Sequence, residues 1–224
     1  MTREPLGPRV HWTPEAFPGF SPGDLSRFRG YYKRQAARGA ANARRVGWAN
    51  SESQKVRFEV FASLAPIAGK KILDVGCGLG AFALFLKDRG IEPDYRGVDL
   101  FPGYIREARR AVPWGAFEVR HLLDRPLRPG SSDYGFLSGV FNVRIQNNWD
   151  YLTALTGAVL KTCRKGVAFN VLHAGSGLKD PKRFTVDPKE IVVWGRRQRG
   201  VRKVKVLDHY LPNDLTVWLD KAKR

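Results

Sequence analysis

The 224-residue chain predicts a three-layer α/β fold, a mainly parallel sheet with helices on both faces. Three observations carry this. From Lys71 onward, short apolar runs alternate with helix-like patterns, which is the rhythm of βαβ units. The first run, KILDVGCGLGAF at residues 71–82, breaks into three glycines at alternate positions before an apolar helical pattern resumes. A strand, a tight turn and a helix N-terminus built closely around a ligand have that look. The last two runs, KVKVLDHY and LTVWL, flank Leu211-Pro212-Asn213-Asp214. A connection so short makes them antiparallel neighbours, because a parallel crossover needs about a dozen residues or more.

The elements follow in order. Residues 1–23 are rich in Pro and Gly and read as an irregular arm. Ser21-Pro22-Gly23-Asp24 is a helix-start signal, and the basic stretch after it forms a helix interrupted by Gly30 and Gly39. A second helical pattern follows Ser51, with Val56, Phe58, Val60, Phe61, Leu64 and Ile67 at roughly helical spacing, closed by Pro66 and Gly69. Strand KILDVG then precedes helix AFALFLKDRG, and strand DYRGVDL precedes helix GYIREARRAV and strand AFEVRHL. Strand DYGFLSGVF precedes helix WDYLTALTGAVLKTC and strand GVAFNVL. Residues 173–186 read as a long irregular connection, and a helix starting near Asp187-Pro188 leads into the closing strand pair. The chain divides into a basic arm and helix over 1–50, able to act as a lid, and a core domain over 51–224.

Apolar residues make up 43% and charged residues 27%, as in ordinary globular proteins. No apolar run approaches the roughly 18 residues that cross a bilayer, and the N-terminus lacks the apolar core of a secretory signal. Two cysteines, Cys77 and Cys163, are too few for a disulfide framework, so a reducing cytoplasm is expected. The net charge of +18 comes from 39 Lys and Arg against 21 Asp and Glu. It gathers at the ends, with nine basic against three acidic residues over 1–50 and 13 against six over 179–224. Such an excess attracts nucleic acid or acidic ligands.

The glycine turn satisfies the loose dinucleotide pattern G-x-G-x-x-G/A, with Asp99 where a ribose-binding acid would stand. A P-loop is excluded, since no Gly-Lys-Ser/Thr follows the glycines. Asp74, two residues before the first glycine, aims a carboxylate into the turn. That suits a ligand carrying an ammonium better than a pyrophosphate, which it would repel. The chain also ends in a β-hairpin rather than in further parallel crossovers.

On ILDVGCGLG, the acid-ended second strand GVDL and the closing strand–turn–strand, residues 50–222 resemble a class I S-adenosylmethionine-dependent methyltransferase. The resemblance implies a seven-stranded, Rossmann-like sheet with the last strand inserted antiparallel, and S-adenosyl-L-methionine as cofactor. It implies that Asp74 and the backbone at Gly76, Cys77, Gly78 and Gly80 line the methionyl end. Asp99 would accept from both ribose hydroxyls, and Leu100 and Phe101 would flank the adenine. Where many relatives carry an acid after the third strand, this chain has His121. The adenine amino group would be met by a neutral His121 nitrogen, by Asp124 or by the backbone of Leu122. Cys77 suits a small apolar filler better than a nucleophile. Gln54 and Arg57, in WANSESQKVRF, share one helix face. Arg57 either holds the cofactor carboxylate bidentately or makes a salt bridge.

Methyl transfer needs proximity and orientation and, for a weakly acidic acceptor, a base. His173, ending the fifth strand, is the best-placed base in sequence, and Asn142 either orients an acceptor or caps the following turn. Tyr31, Tyr32 and Trp48 line a lid or pack helices. No Asn/Asp-Pro-Pro-Tyr, no Pro-Cys pair and no metal-ligand cluster is apparent. A small-molecule acceptor, methylated on O or N, is therefore expected. RNA is the alternative, on the basic arm and on Arg196–Lys205, where six basic residues stand without an acid. A non-catalytic cofactor-binding protein is a third reading.

Overall fold

The computed structural model describes residues 10–36 and 50–221. Gly39 and Trp48 lie outside the described residues. Six helices and eight strands appear among them: α1 (Pro22–Ala36), α2 (Ser51–Ser63), β1 (Lys71–Val75), α3 (Ala81–Asp88), β2 (Asp94–Asp99), α4 (Pro102–Ala111), β3 (Ala116–Val119), β4 (Ser132–Leu137), α5 (Asn148–Thr162), β5 (Cys163–His173), β6 (Thr185–Val186), α6 (Pro188–Arg196), β7 (Val201–Leu207) and β8 (Asp214–Lys221).

The sheet runs β3-β2-β1-β4-β5-β8-β7, with β6 added beside β5. Strands β1 to β5 pair in parallel. Strand β8 enters antiparallel between β5 and β7. The expected closing hairpin is present, and the sheet is the expected one with a two-residue strand added. That strand lies inside the connection read as irregular, where Leu172 pairs with Thr185 and His173 with Val186.

Alternation along the strands sorts the core into two faces. Leu73, Val75, Leu137, Val167 and Phe169 pack with Leu152, Leu155 and Val159 of α5 and Ile191 of α6. Ile72, Tyr95, Tyr134, Phe136 and Trp218 pack on the other face with Phe61 of α2, Phe82 and Leu86 of α3, and Ile105 and Ala108 of α4. The arm joins the first face, because Phe17, Phe20 and Leu25 are buried there.

Helix α1 starts where Ser21 and Asp24 cap each other. Asp24 N–H donates to Ser21 Oγ at 3.0 Å, and Ser21 N–H to Asp24 Oδ2 at 3.0 Å, a reciprocal cap. Asp24 Oδ2 also accepts from Gln146 N–H at 2.9 Å, tying the helix to the loop before α5. Gly30 does not interrupt the helix. Asn50 caps α2, its Oδ1 accepting from Ser53 N–H at 2.8 Å.

Strand register places the basic run. Leu172 faces Asp214 at the sheet end that carries the glycine turn, whereas Gly166 faces Asp220 and Val201 faces Lys221 at the opposite end. Arg196, Arg197 and Arg199 therefore sit at the far end, and Lys203 and Lys205 on the exposed edge strand β7.

Candidate functional site

The carboxyl ends of β1, β2 and β4 open into a cleft of about 660 Å³, counting the open space at its mouth. Its floor is Val75, Gly76, Gly78, Val98 and Asp99, its side wall includes Leu100, Phe101, His121 and Leu122, and Phe28 and Tyr32 of α1 form part of its cover. A smaller hollow of about 370 Å³ adjoins it, sharing Gly76, Gly78 and Ser138 and adding Gln54, Phe58, Asp74 and Cys77.

The turn between β1 and α3 makes this space. Gly76, which lines both hollows, has φ +75, and a Cβ there would meet Val140 Cγ2 at 2.8 Å, so the position calls for glycine. Cys77 is buried with its Sγ close to Gly97, where a Cβ would lie 2.9 Å from the sulfur. The thiol fills the space that Gly97 leaves, and burial pushes its pKa well up.

Both acids are buried. Asp99 Oδ2 accepts from Gly78 N–H at 2.9 Å and Oδ1 from Phe101 N–H at 3.0 Å. These bonds hold the glycine turn against the end of β2 and leave each oxygen a further lone pair. Burial nevertheless pushes the Asp99 carboxyl up to about 6. Asp74 accepts from the Tyr95 hydroxyl. Burial above all, together with the neighbouring Asp99 charge, pushes it up to about 7 against the opposing effect of that bond.

His121 is only 2% exposed and stacks on Phe17, centroids 4.0 Å apart and planes within 9°. Neither ring nitrogen has a hydrogen-bond partner among the described residues. Burial drives its pKa down to about 4, so the ring is neutral. Asp124 is engaged by His11 Nδ1 at 3.2 Å.

The structure separates the remaining candidates from the cleft lining. Arg57 is drawn into a buried pair with Asp214, its Nε donating to Oδ1 at 2.9 Å and Nη2 to Oδ2. Nη1 donates to Ser53 O at 2.6 Å. The pair pins α2 to the start of β8 and presents Gln54, one turn earlier, to the smaller hollow. His173 ends β5, outside both hollows, and its N–H donates to Asn213 O at 2.9 Å. Asn142 is also outside them, and its Oδ1 is buried without a partner among the described residues. Capping falls to Asn147, which accepts from Asp150 N–H at 3.3 Å, and to Asn148, which accepts from Ile145 N–H at 3.0 Å. Gly80, with φ +80, is the residue before α3. Tyr31 stays partly exposed, edge-on to Tyr32 at 5.0 Å.

Sequence reasoning missed Asn170. Fully buried in β5, it accepts from Gly139 N–H at 2.7 Å and donates to Ser138 Oγ at 3.3 Å, fixing the loop that borders both hollows. A lone amide inside the apolar run GVAFNVL was the available signal, since a buried amide needs partners. Tyr95, Phe17 and Tyr151 were missed as well.

A family model described as a methyltransferase domain matches residues 72–162. A protein of Mycobacterium tuberculosis (strain ATCC 25618 / H37Rv) named "Putative methyltransferase Rv1506c" is 30% identical over 161 residues, covering 67% of this chain and 93% of that protein. Among solved structures, the magnesium protoporphyrin IX methyltransferase of Synechocystis PCC 6803 with bound SAH superposes with a TM-score of 0.60 at 14% identity, covering 88% of this chain and 95% of that one. A SAM-dependent methyltransferase from Archaeoglobus fulgidus gives 0.59 at 18% identity, covering 77% and 95%.

The chain belongs to the class I S-adenosylmethionine-dependent methyltransferases. It is a transferase of that class, with S-adenosyl-L-methionine as its cofactor. The residues fit such a molecule. The Asp99 oxygens have capacity for further hydrogen bonds, the unpartnered ring of neutral His121 offers one donor and one acceptor, and Gly76 and Gly78 bring bare backbone to the lining of both hollows.

Proposed function

We propose that the protein methylates a small-molecule acceptor, releasing S-adenosyl-L-homocysteine. The observation that carries this reading is the cleft roofed by Phe28 and Tyr32 of α1, while the basic run at 196–205 begins at the opposite end of the sheet. A roof of two aromatic side chains over the cleft suits a small acceptor better than a folded RNA.

In this reading Asp99 accepts from the ribose hydroxyls, Leu100, Phe101, His121 and Leu122 surround the adenine, and neutral His121 offers a lone pair to the amino group. Asp74, Gly76, Cys77 and Gly78 border the methionyl end, with Gln54 reaching it from α2, whereas Gly80 faces Val112, Ala108 and Phe117 and acts through the shape of the turn. Arg57 acts through its pair with Asp214, as a positioning residue. When bound, the cofactor supplies an electrophilic methyl group and a thioether leaving group. The protein supplies orientation and water exclusion, and α1 acts as the lid. The two free, buried cysteines are consistent with a reducing cytoplasm, and no helix among the described residues is long and apolar enough to cross a membrane.

The acids add a pH signature. In the folded chain both hold protons at pH values where the unfolded chain has lost them. Relative to neutral pH they thus cost the fold least below the ordinary Asp value of 3.8, and that advantage is lost as pH rises through about 6 and 7. A bound ammonium beside Asp74 favours its ionised form. Cofactor binding at pH 6 is therefore expected to release protons, seen as calorimetric heats that differ between buffers of different ionisation enthalpy. Asp74→Asn should remove most of the difference, and heats independent of buffer would count against Asp74 facing the cation.

The reading itself is tested by offering radiolabelled methyl donor in parallel to total cellular RNA and to a protein-free metabolite extract. Label is expected in the metabolite fraction. Label in RNA, with binding that weakens steeply with salt, would replace the small-molecule reading, and label in neither would favour a non-catalytic cofactor-binding protein.

A further inference from the structure

The end of the sheet opposite the cleft gathers cations from several elements. Helix α5 runs out there, and Lys161, Arg164 and Lys165 surround the start of β5. The turn before β4 lies against them, with Gly130 N–H donating to Lys161 O at 3.1 Å, and it carries the exposed Arg128. Helix α6 ends in Arg196, with Arg197 and Arg199 following before β7, and all three are exposed. Strand β7 opens with exposed Arg202 and Lys203. The two groups meet at the end of β8. Lys221 Nζ donates to Leu160 O at 2.8 Å, while its Cε lies 3.6 Å from where a Cβ on Gly200 would stand.

The carboxylates within this face are already engaged. Asp133 accepts from Lys71 N–H at 3.0 Å and pairs with Arg164 at 3.1 Å, and Asp220 pairs with Arg202 at 2.8 Å. Arg128, Lys161, Arg196, Arg197, Arg199 and Lys203 have no ion-pair partner among the described residues. Local rules account for part of this. Cations in the last turn of a helix answer its dipole, which covers Lys161 and Arg196. Lysines on an edge strand discourage pairing with another chain, which covers Lys203 and Lys205. Neither rule reaches Arg128 in its turn or Arg199 beyond the helix. Crowded like charges repel one another and cost stability. A polyanion laid across them removes that cost and sheds its own counterions.

The shape of the face selects among polyanions. Val193 is the one exposed large apolar side chain beside it among the described residues, since Tyr31 lies on α1 and Trp114 precedes β3 at the other sheet edge. A membrane surface asks for a broad apolar face instead. The nearby rings of Tyr134 and Trp218 are buried, so unpaired bases find no stacking platform. Strand ends, turns and helix C-termini make a blunt face, without a projecting helix or ribbon to enter the major groove of B-DNA. A-form RNA, whose deep groove side chains cannot read, is held by its shape and phosphates.

We infer that this face docks double-helical RNA through its phosphates, as a binding surface separate from the methyl-transfer cleft. The RNA is a partner and not the acceptor, because face and cleft lie at opposite ends of the strands.

The test follows the fluorescence anisotropy of an RNA hairpin, its stem about 20 base pairs, as the protein is added at about 50–200 mM salt. Binding at micromolar concentration or below is expected at the low end. Log affinity should fall linearly with log salt, with a slope of about −4 to −5 if the six unpaired cations each displace a counterion. Arg196→Gln/Arg197→Gln/Arg199→Gln should weaken binding at least about tenfold and flatten the slope by about two to three. Its thermal midpoint and its affinity for S-adenosylhomocysteine should not change. The control Lys55→Gln/Arg106→Gln/Lys189→Gln removes the same charge from exposed positions away from the face and should lose less than about threefold. An equal loss in the control, affinity indifferent to salt, or no binding at about 10 μM protein and 50 mM salt would overturn the inference. So would tighter binding to a DNA duplex of the same sequence or to phosphatidylserine vesicles. The bound hairpin should take no label from radioactive methyl donor. Label entering it would overturn its role as a partner and, with it, the small-molecule reading.

Discussion

Replacing Arg57 with alanine is expected to lower the stability of the fold by about 3–5 kcal/mol, the usual loss when one member of a buried ion pair is removed. The two side chains are 8% and 4% exposed, so the carboxylate of Asp214 would be left buried without its counter-ion. In a domain of this size the thermal midpoint should fall by roughly 2–4 °C per kcal/mol. The double variant Arg57→Met/Asp214→Leu, which removes both charges and keeps apolar volume, should recover most of the loss, because the desolvation penalty disappears with the pair. Cofactor affinity should drop only modestly in the double variant, through looser placement of Gln54. A large loss of cofactor affinity at unchanged stability would mean that Arg57 grips the cofactor directly, the reading that its pairing with Asp214 disfavours.

This pair also shows where sequence reasoning stops. Arg57 and Asp214 stand 157 residues apart, and no local period or spacing connects them. The same holds for Phe17 on His121 and for Tyr95 on Asp74, contacts that tertiary packing alone creates. The glycine turn was legible because its signals are local: an apolar strand, glycines at positions needing positive φ, and a helical period resuming at once. The closing hairpin was legible because its turn is too short for any other connection. Strand β6 was not, since two residues cannot display an alternating pattern. Gly30 was overestimated as a breaker, because a single glycine costs a helix only about 1 kcal/mol and the aromatic face of α1 is held by packing. The two acids of the site were found as strand ends beside the turn. On the opposite wall Tyr32 was read as lining a lid or packing helices, whereas Tyr151 lies on a helix and carries no motif.

The measurement that bears most directly on the account is a calorimetric titration of S-adenosylmethionine into the wild-type protein and into Asp99→Ala. Asp99 stands where the cleft, the end of β2 and the glycine turn meet, and a carboxylate accepting two ribose hydroxyls contributes on the scale of hydrogen bonds to a charged group. The variant should therefore lose about 1.5–3 kcal/mol of binding free energy, roughly 10- to 150-fold in affinity. Asp99 also holds the N–H groups of Gly78 and Phe101, so Asp99→Asn serves as the companion. It keeps one carbonyl acceptor and should fall between the two. Saturable binding with that ordering is the expected result. Wild-type affinity in Asp99→Ala, with a fold intact by thermal melt, would remove the ribose from Asp99 and contradict the placement of the cofactor in this cleft.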